Sequence, residues 1–501
     1  MKKLTRILSL SLCLVLLITT MASCAANNSD QAVNLGGADT SAPSVGGDNT
    51  GHVSEYKPSG NKYDGQDFVV LESSKASDVV SVFDFKEEDP SLVDTAVKTK
   101  NAYVANDYGV NFVTVKDVGN NNTGAQKMTK AYSSNMIEYH LAYIDSYSIV
   151  QLAVSGALYD LSKLSGIEAG IDLKNSWWDQ RANTDLSING QTYFTTGDID
   201  IWDDMQQFIM IFNRTLFEQK VSKYTVDEFY DLAESGAWTY DIFYELGSGI
   251  VDDLNGDGLM NNNDMYGMIT WDDTIYSVFS STGSKVVDNS NNTLTLGMIG
   301  DERSINCMTE YTEWTQANAY NYSRDGGGSK ALAMFKNNQA LFFMGRLQSL
   351  DNYRNMESDF GLVPVPKYSE TDEYYVTVSP YHMSMVCTLG LEEDIVMRSE
   401  VIESCAYYSS IELTPAYREK TLEGTNIRDE GSLMVLQLLA GNRIYDIGFY
   451  ISPGDIQKQL ILLYREWSTG YAAKYEEKRE AAEQAIADVA GAYAELAAAG
   501  Y

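Results

Sequence analysis

The stretch that decides the fold is Ala331–Tyr381, ALAMFKNNQALFFMGRLQSLDNYRNMESDFGLVPVPKYSETDEYYVTVSPY. It opens with the pattern of a short helix, and Ala340–Met344 then has the apolar pattern of a buried strand. Gly345 and Arg346 follow directly, so we expect a bend that presents a guanidinium at a strand tip. A second strand, Phe360–Val363, stops at the Pro-Val-Pro that follows it, because proline cannot donate to a sheet ladder.

Upstream of this stretch, strand-like and helix-like segments alternate. Runs rich in β-branched and aromatic residues predict three strands, Phe68–Leu71, Val110–Val115 and Met136–Ile144. The predicted helices are a segment capped by Ser91 that ends before Gly109, then Gly124–Ser133 and Ser148–Gly156. This βαβαβα order predicts parallel strands with helices on both faces. In such sheets ligands bind beyond the carboxyl ends of the strands, so those ends are candidate site positions.

The same α/β alternation continues through the second half of the chain. A capping box at Thr225–Glu228 opens a helix, Tyr266–Thr270 is a predicted strand, and Glu302–Tyr320 is a predicted helix. Helices over Glu393–Ser409 and Asp455–Leu496 follow the opening stretch. The fold class is therefore α/β, with about 440 residues available for two or three domains.

The order of these elements resembles the extracellular solute-binding proteins of bacterial ABC importers, in the sugar-binding family 1 group that includes maltodextrin-binding protein. Besides the opening stretch, the resemblance is carried by the runs YDLS from Tyr159, NGQTY from Asn189, TPAYRE from Thr414 and NRIYD from Asn442. It covers nearly all of residues 60–500. It implies a class II periplasmic-binding-protein-like fold of two lobes, each a mostly parallel sheet flanked by helices, joined by three interlobe crossings.

On this resemblance the chain divides into a leader, a tether and two discontinuous lobes. These are residues 1–23, a lipoprotein signal peptide; 24–60, a disordered tether; 61–204 and 386–441, the first lobe; and 205–385 and 442–501, the second lobe. The tether prediction comes from composition, because its Gly, Ser, Asn and Asp residues bury too little apolar surface to fold. The crossings are predicted near Met205, near Tyr381 and at Asn442–Asp446.

The N-terminus has the pattern of a secretory leader. Lys2, Lys3 and Arg6 precede an apolar run over Ile7–Thr20 that is too short for a comfortable membrane span. The Met-Ala-Ser-Cys that ends at Cys24 resembles a lipoprotein signal-peptidase site, which makes Cys24 the lipidated residue. The alternative is an ordinary signal peptide with a chance cysteine. Lipid anchoring implies the extracellular face of the cell membrane, as on a Gram-positive cell.

Charge and cysteine content exclude two classes of protein. The formal net charge of −34 argues against nucleic-acid binding, which depends on Lys and Arg at phosphates. Once Cys13 and Cys24 are set aside, the odd number of remaining cysteines gives no disulfide framework. We expect Cys307, Cys387 and Cys405 to be small buried side chains.

Catalytic signatures are scarce in this sequence. It contains no HExxH, no G-x-S-x-G elbow and no Walker loop, and Gly326–Lys330 lacks the Gly-Lys-Ser/Thr order. His52 lies in the tether, and His140 and His382 are interpreted as structural histidines. A glycosidase carboxylate pair stays open among the 70 acidic residues, because the separation of such a pair is spatial. The chain is predicted not to be an enzyme.

A carbohydrate site needs flat apolar rings for sugar C–H faces and planar polar groups for hydroxyls. Aromatic and polar residues at predicted strand ends and crossings form the candidate set: Tyr143, Asp145, Tyr147, Trp202, Asp203, Trp271, Asp272, Tyr276, Arg346 and Tyr445. Core packing is the alternative for any single aromatic residue. The resemblance places Gly345 beside the ligand, and Arg346 stands where maltodextrin-binding protein has tryptophan. That departure favours a different or more polar glycan.

A calcium loop is the sharpest local motif. The run DLNGDGLMNNND over Asp253–Asp264 matches the twelve-residue D-x-[DN]-x-[DN]-G loop. Its predicted ligands to a structural Ca²⁺ are Asp253, Asn255, Asp257, Leu259 through its carbonyl, Asn261 and Asp264. Asp264 stands where an EF-hand has glutamate, and its shorter reach favours modest affinity. The alternative is a solvated turn without metal, since Asn, Asp and Gly alone make good turns.

Taken together, these features predict the lipid-anchored substrate-binding subunit of an ABC importer. We expect a monomer that closes its two lobes on a carbohydrate, in particular an oligosaccharide, and delivers it to the transmembrane permease subunits. Two alternatives stay open at this point, a surface-anchored glycan-degrading enzyme and a non-transporting glycan adhesin. Sugar turnover would favour the first alternative, and two permease genes beside this one would argue against the second.

Overall fold

The computed structural model describes residues 55–75, 80–119, 123–290, 293–424 and 429–500. The described strands are β1 (Asp67–Lys75), β2 (Asn111–Gly119), β3 (Leu141–Asp145), β4 (Phe208–Asn213), β5 (Tyr266–Thr270), β6 (Val287–Asp288), β7 (Thr295–Leu296), β8 (Ala319–Asn321), β9 (Ala340–Arg346), β10 (Phe360–Val363), β11 (Val376–Thr377), β12 (Ser384–Cys387) and β13 (Arg443–Ile444). The predicted signal peptide, Cys24 and the tether up to residue 54 lie outside these ranges.

Helices flank the strands throughout. The described α-helices are α1 (Leu92–Tyr108), α2 (Thr123–Ser133), α3 (Ser146–Val154), α4 (Gln180–Asp185), α5 (Trp202–Met205), α6 (Arg214–Lys220), α7 (Val226–Glu234), α8 (Tyr240–Ser248), α9 (Thr274–Ser280), α10 (Glu302–Asn318), α11 (Tyr322–Asp325), α12 (Gly328–Lys336), α13 (Ile395–Ile411), α14 (Leu413–Gly424), α15 (Glu430–Gly441), α16 (Ile447–Ile451), α17 (Ile456–Arg465) and α18 (Tyr471–Ala499). Short 3-10 helices cover Leu161–Gly166, Met298–Gly300, Leu347–Tyr353, Pro380–His382 and Pro453–Asp455. Among the described helices, none is both long and apolar enough to cross a membrane.

The first sheet has the order β12-β3-β1-β2, with β1 parallel to both β2 and β3 and with β12 antiparallel to β3. The helix caps and the tight turn that the sequence predicts in this lobe are present. Ser91 and Asp94 form a capping box at the start of α1, and Gly109 ends that helix in the left-handed region at φ 67°. Asn189 and Gly190 both have positive φ, which makes the tight turn expected of an Asn-Gly pair.

The second sheet has the order β10-β4-β9-β5-β8. The β5 strand is parallel to β8 and β9, whereas β4 is antiparallel to β9 and β10. The opening stretch therefore folds as predicted, with helix α12, strand β9 ending at Arg346, and strand β10 ending before Pro364. The predicted helix to Tyr320 is two elements, because α10 ends at Asn318 and Ala319–Asn321 adds an edge strand to β5.

The chain passes from the first sheet to the second through α5, and returns through β11 and residues 378–383. One boundary of the predicted first lobe at residue 441 does not match the packing. Helix α15 packs on β10 and α7 of the second lobe, where Ser432 Oγ accepts from Leu362 N at 3.1 Å and contacts Tyr230 Oη at 2.9 Å. Helix α14 packs on α1 of the first lobe, so of these two neighbouring helices only α14 belongs to the first lobe.

Buried apolar side chains connect the two lobes. One cluster fills a face of the first sheet around Phe68, Val97 and Tyr143, and another fills a face of the second sheet around Ile211 and Leu362. A third cluster takes side chains from both sheets and from the C-terminal helix α18. The described cysteines are free, as predicted from their odd number, and buried, as predicted from their apolar or helical sequence context.

Candidate functional site

Three partly exposed side chains form one surface at the edge where β5, β8 and β9 end and the antiparallel β4 begins. Trp271 follows β5 directly and Tyr322 follows β8, while Arg346 ends β9 opposite Phe208 on β4. The Trp271 and Tyr322 rings lie 6.1 Å apart and are nearly parallel, at 6°. Arg346 Cζ lies 5.4 Å from the centre of the Trp271 ring, and the Phe208 ring lies 6.2 Å from it. Phe208 is fully buried, so we call the other three residues, Trp271, Tyr322 and Arg346, the second-lobe wall.

The wall carries polar groups beside its rings. Arg346 Nη1 donates to Gln206 Oε1 at 2.6 Å, and Gln206 Nε2 donates to Gln348 Oε1 at 2.9 Å. Trp271 Nε1 is buried and donates to no acceptor in the described part of the chain. Burial raises the pKa of Tyr322, and Arg346 opposes that rise. The wall therefore combines flat apolar rings with planar hydrogen-bonding groups, which is the chemistry that a sugar requires.

Residues between the lobes complete the surroundings of the wall. The His382 ring lies 5.7 Å from the Trp271 ring, and His382 Nε2 lies 3.6 Å from Asp273 Oδ2. Tyr147, at the start of α3 in the first lobe, is 41% exposed and stacks on Tyr381 with ring centres 4.4 Å apart. Burial raises the pKa of Tyr147, and Tyr381 and Asp273 raise it further. Side chains of both lobes thus meet here.

Of the residues predicted for the first lobe, Tyr147 alone is exposed near the wall. Tyr143 is 2% exposed and packs against Phe83, with its hydroxyl donating to Ile199 O at 3.2 Å. Asp145 caps α3 by accepting from Tyr147 N at 3.0 Å. Trp202 is buried, and together with Tyr143 it borders a cavity of about 10 Å³, no larger than one water.

Of the other predicted site residues, Trp271 and Arg346 lie together in the wall, whereas the remaining four make internal contacts away from it. Asp272 pairs with Arg465, and Tyr276 is fully buried against Phe449 and Tyr381. Asp203 is buried in an ion pair with Arg443, and Tyr445 donates its hydroxyl to Asp179 Oδ2 at 3.0 Å. These side chains are occupied by internal contacts rather than turned toward the wall.

Sequence reasoning missed several residues at this site, for two reasons. Tyr322 was missed because β8 was interpreted as the end of a helix, so its position one residue past a strand was hidden. Gln206, Asp273 and His382 lie in turns and crossings, where sequence pattern gives no direction for a side chain. An aromatic residue directly after a short β-like run, as in Ala319–Tyr322, is the signal that could have found Tyr322.

A cavity of about 530 Å³ lies away from the wall. Its lining includes Tyr159, Lys163 and the segment Gly390–Glu393 beyond the end of β12. Because β12 is antiparallel to β3, this cavity sits at the opposite edge of the first sheet from Tyr147. It contains none of the predicted site residues.

The predicted calcium loop folds into a series of tight turns. Asp253 accepts from Gly256 N at 2.8 Å and from Gly258 N at 2.7 Å, and these hydrogen bonds lower its pKa. The two glycines have φ of 69° and 78°, which favour glycine. Asp257 accepts from Leu259 N at 2.8 Å.

The far end of the loop is anchored to the second sheet. Asp264 is fully buried and accepts from Asn261 N at 2.8 Å, and Gln339 Nε2 donates to Asp264 O at 3.1 Å. Among the described residues, no group of three or more His, Cys, Asp and Glu side chains is arranged to hold a metal. Any cation in the loop would therefore depend on Asn and carbonyl oxygens as well as carboxylates.

No protein-family model and no curated protein matches this sequence. Solved structures do match. A cyclo/maltodextrin-binding protein complexed with maltotetraose is 13% identical, over 87% of this chain and 98% of its own, with a TM-score of 0.55. An ABC substrate-binding protein from Listeria monocytogenes in complex with cycloalternan is 11% identical, over 85% of this chain and 98% of its own, with a TM-score of 0.53.

A third match is the galacto-N-biose-/lacto-N-biose I-binding protein of the ABC transporter from Bifidobacterium longum, in complex with lacto-N-biose. It is 11% identical, over 86% of this chain and 99% of its own, with a TM-score of 0.54. The chain has the two-lobe periplasmic-binding-protein fold. That confirms the fold expected from the resemblance, and the second-lobe wall lies at the carboxyl ends of strands, where ligands bind in α/β sheets of this kind.

Proposed function

We propose that this chain is the substrate-binding subunit of an ABC importer that captures a carbohydrate against the second-lobe wall and delivers it to a pair of permease subunits. The observation that carries the proposal is the wall itself, where Trp271 and Tyr322 are nearly parallel and Arg346 lies beside them at a strand tip. The solute-binding fold supports it, because its two lobes can close on a ligand by hinge motion. The chain would bind and release its sugar without chemical change.

A thermal-shift screen against mono- and oligosaccharides, with peptides and polyamines included, tests this function. A ligand at a hundred times its dissociation constant should add about 2.7 kcal/mol to the free energy of unfolding. We expect a carbohydrate to raise the melting temperature. A melt that responds to a peptide or a polyamine and to no sugar would overturn the sugar assignment.

The role of Arg346 is tested with a matched pair of variants. Arg346→Ala should weaken the binding of the identified sugar about tenfold or more, because the guanidinium stands beside the Trp271 ring. The ligand-free melting temperature should change little. Arg479→Ala is the control, since Arg479 is half-exposed on α18 and pairs with neighbours on the same helix. Unchanged affinity with a lower melting temperature would make Arg346 a structural residue.

We also propose that Cys24 carries a lipid anchor at the outer face of the cell membrane. The support is the sequence of the leader, since Cys24 lies outside the described residues. Cys24→Ser should abolish the incorporation of labelled palmitate into the protein, whereas Cys13→Ser, in the apolar run of the leader, should leave it unchanged. Immunoprecipitation after metabolic labelling measures both. A Cys24→Ser protein that still incorporates palmitate would contradict the anchor.

We further propose a structural Ca²⁺ in the Asp253–Asp264 loop. The donor chemistry supports it, because the loop carries three carboxylates and several amide and carbonyl oxygens, and no basic residue. The buried Asp264 would tie the ion to the start of β5, the strand that leads to Trp271. The ion would steady the wall without touching the sugar.

Chelation should lower the melting temperature of the wild type, and added Ca²⁺ should restore it. The Asp257→Ala variant, which removes one donor, should not respond to either treatment. Asn263→Ala is the matched control, because this loop position supplies no predicted ligand. Identical melts with and without chelator at micromolar protein would mean that the loop binds no calcium.

A further inference from the structure

The segments that lie between the two sheets are hydrogen-bonded to one another. Strand β11 pairs in parallel with β13. Gln207, directly before β4, forms a β-bridge with Val378, and Ser379 N donates to Gln206 O at 2.8 Å. The junction between the lobes is therefore one connected unit rather than independent strands of chain.

A buried arginine lies at the centre of this unit. Arg443, on β13, is 8% exposed. Its guanidinium pairs with Asp203, with Asp204 at 2.7 Å and with Asp179 at 3.6 Å, and all three carboxylates are at least nine-tenths buried. We call these four residues the junction hub. Asp203 and Asp204 lie on the passage out of the first lobe, and Asp179 precedes α4 within that lobe.

Further contacts hold the hub carboxylates in place. Tyr445 donates its hydroxyl to Asp179 Oδ2 at 3.0 Å, and Gln207 Nε2 donates to Asp204 Oδ1 at 3.3 Å. Arg418, on α14 of the first lobe, lies 3.8 Å from Asp204 and is half-exposed. Desolvating charges is costly, so a buried ionic cluster makes its best-attested contribution by specifying one geometry.

The hub is continuous with the second-lobe wall. Gln206 accepts from Arg346 Nη1 on the wall, and it lies two residues from Asp204 of the hub. A shift of this short passage would therefore move the hub and the wall together.

We propose that Arg443 is the positioning residue of lobe closure. Through the junction hub it sets the pivot about which the lobes close, without touching the ligand. This inference rests on the proposed function, since a pivot matters for binding only if the lobes close on a ligand. Without the guanidinium, three buried carboxylates would repel one another and the passages would separate, so the lobes would sample a wider range of orientations.

Two variants of similar size test the role of Arg443. Arg443→Met removes the guanidinium of the hub. Arg398→Met is the matched control, because Arg398 is fully buried and donates only within the first lobe, to Thr388 Oγ1 at 2.9 Å and Leu389 O at 2.7 Å among others. Both variants should lower the melting temperature. Only Arg443→Met should change the distribution of distances between the two lobes.

The interlobe distance is measured by electron paramagnetic resonance between two spin labels. Lys130→Cys on α2 and Gln219→Cys on α6 place one label on an exposed site of each lobe. The buried native cysteines of the body are protected from labelling, and the leader cysteines are replaced by serine. Distances are recorded without and with the sugar identified by the thermal-shift screen.

For Arg443→Met we expect a broader distance distribution without ligand and about tenfold weaker sugar binding, and for Arg443→Lys a partial return toward wild type. A wild-type distance distribution and wild-type affinity, with stability lost as in Arg398→Met, would overturn the proposal. If Arg443→Met does not fold, Asp204→Asn takes its place with the same readouts.

The design separates this inference from the proposed function. If no sugar binds the wild type, the proposed function fails, and the distance distribution without ligand alone decides the role of the hub. If sugars bind normally and the distances do not respond to Arg443→Met, the function stands and the hub is only structural.

Discussion

The carboxyl edges of the two sheets have similar residue types but present different surfaces. At the first edge, Tyr143 lies inside β3 and packs into the core, and Asp145 caps the following helix. At the second edge, Trp271 and Tyr322 each lie one residue beyond a strand, and Arg346 is the last residue of its strand. The second edge forms a wall of rings and polar groups, whereas the first exposes Tyr147.

The difference shows how strand position decides the direction of a side chain. Strand β3 lies between β12 and β1, and all five of its residues are buried because both faces of the sheet are covered. A residue inside such a strand packs into one core or the other, whatever its chemistry. Only a residue at or beyond the last strand position is able to face a ligand.

The largest expected effect is a loss of stability at the first sheet, where Tyr143 packs into the core. Tyr143→Ala should lower the free energy of unfolding by about 3–5 kcal/mol, because it removes a buried ring that packs against Phe83. Urea denaturation measures the change. Tyr143→Phe, which removes only the hydroxyl bonded to Ile199 O, should cost about 1 kcal/mol. A large loss of sugar affinity in a stably folded Tyr143→Phe protein would contradict the core assignment.

The second expected effect is a loss of sugar affinity at the second-lobe wall. Trp271→Ala should weaken sugar binding by about 2–3 kcal/mol, since it removes the ring that joins Tyr322 and Arg346. Trp314→Ala is the matched control on the same lobe, where a half-buried tryptophan stacks on Tyr244 away from the wall. Isothermal titration should show normal affinity for the control. Equal losses in both variants would mean that the wall is not the ligand surface.

The smallest expected effect concerns pH and the core of the first lobe. His140 is 5% exposed, its Nδ1 accepts from Val69 N at 2.9 Å, and burial lowers its pKa from the ordinary 6.5 to about 4. The unfolded chain binds this proton at a higher pH than the folded chain. The contribution of neutral His140 to the free energy of unfolding is therefore complete above pH 6.5 and is lost as the pH falls toward 4. The loss is about 1–2 kcal/mol near pH 5.

The variant His140→Asn keeps a hydrogen-bond acceptor and removes the titration. It should flatten this part of the stability curve, measured by urea denaturation between pH 7 and pH 5. An unchanged slope in His140→Asn would show that other groups cause the pH dependence.

The alternation of helices and strands, the capping boxes, the Asn-Gly turn and the order of the opening stretch could all be predicted from the sequence. These features depend on neighbouring residues, so periodicity and local hydrogen bonding determine them. The same holds for the tip position of Arg346, which follows from the Gly-Arg pair at the end of an apolar run.

Long-range packing decided the rest. Helix α15 belongs to the second lobe because its apolar face fits β10, and no signal within its own residues says so. Asp203 and Asp272 are each bound by an arginine more than 150 residues away in the chain. A sequence shows which charges and rings exist and where strands end. Which of them meet depends on burial and on partners distant in the chain, and only the tertiary structure brings those together.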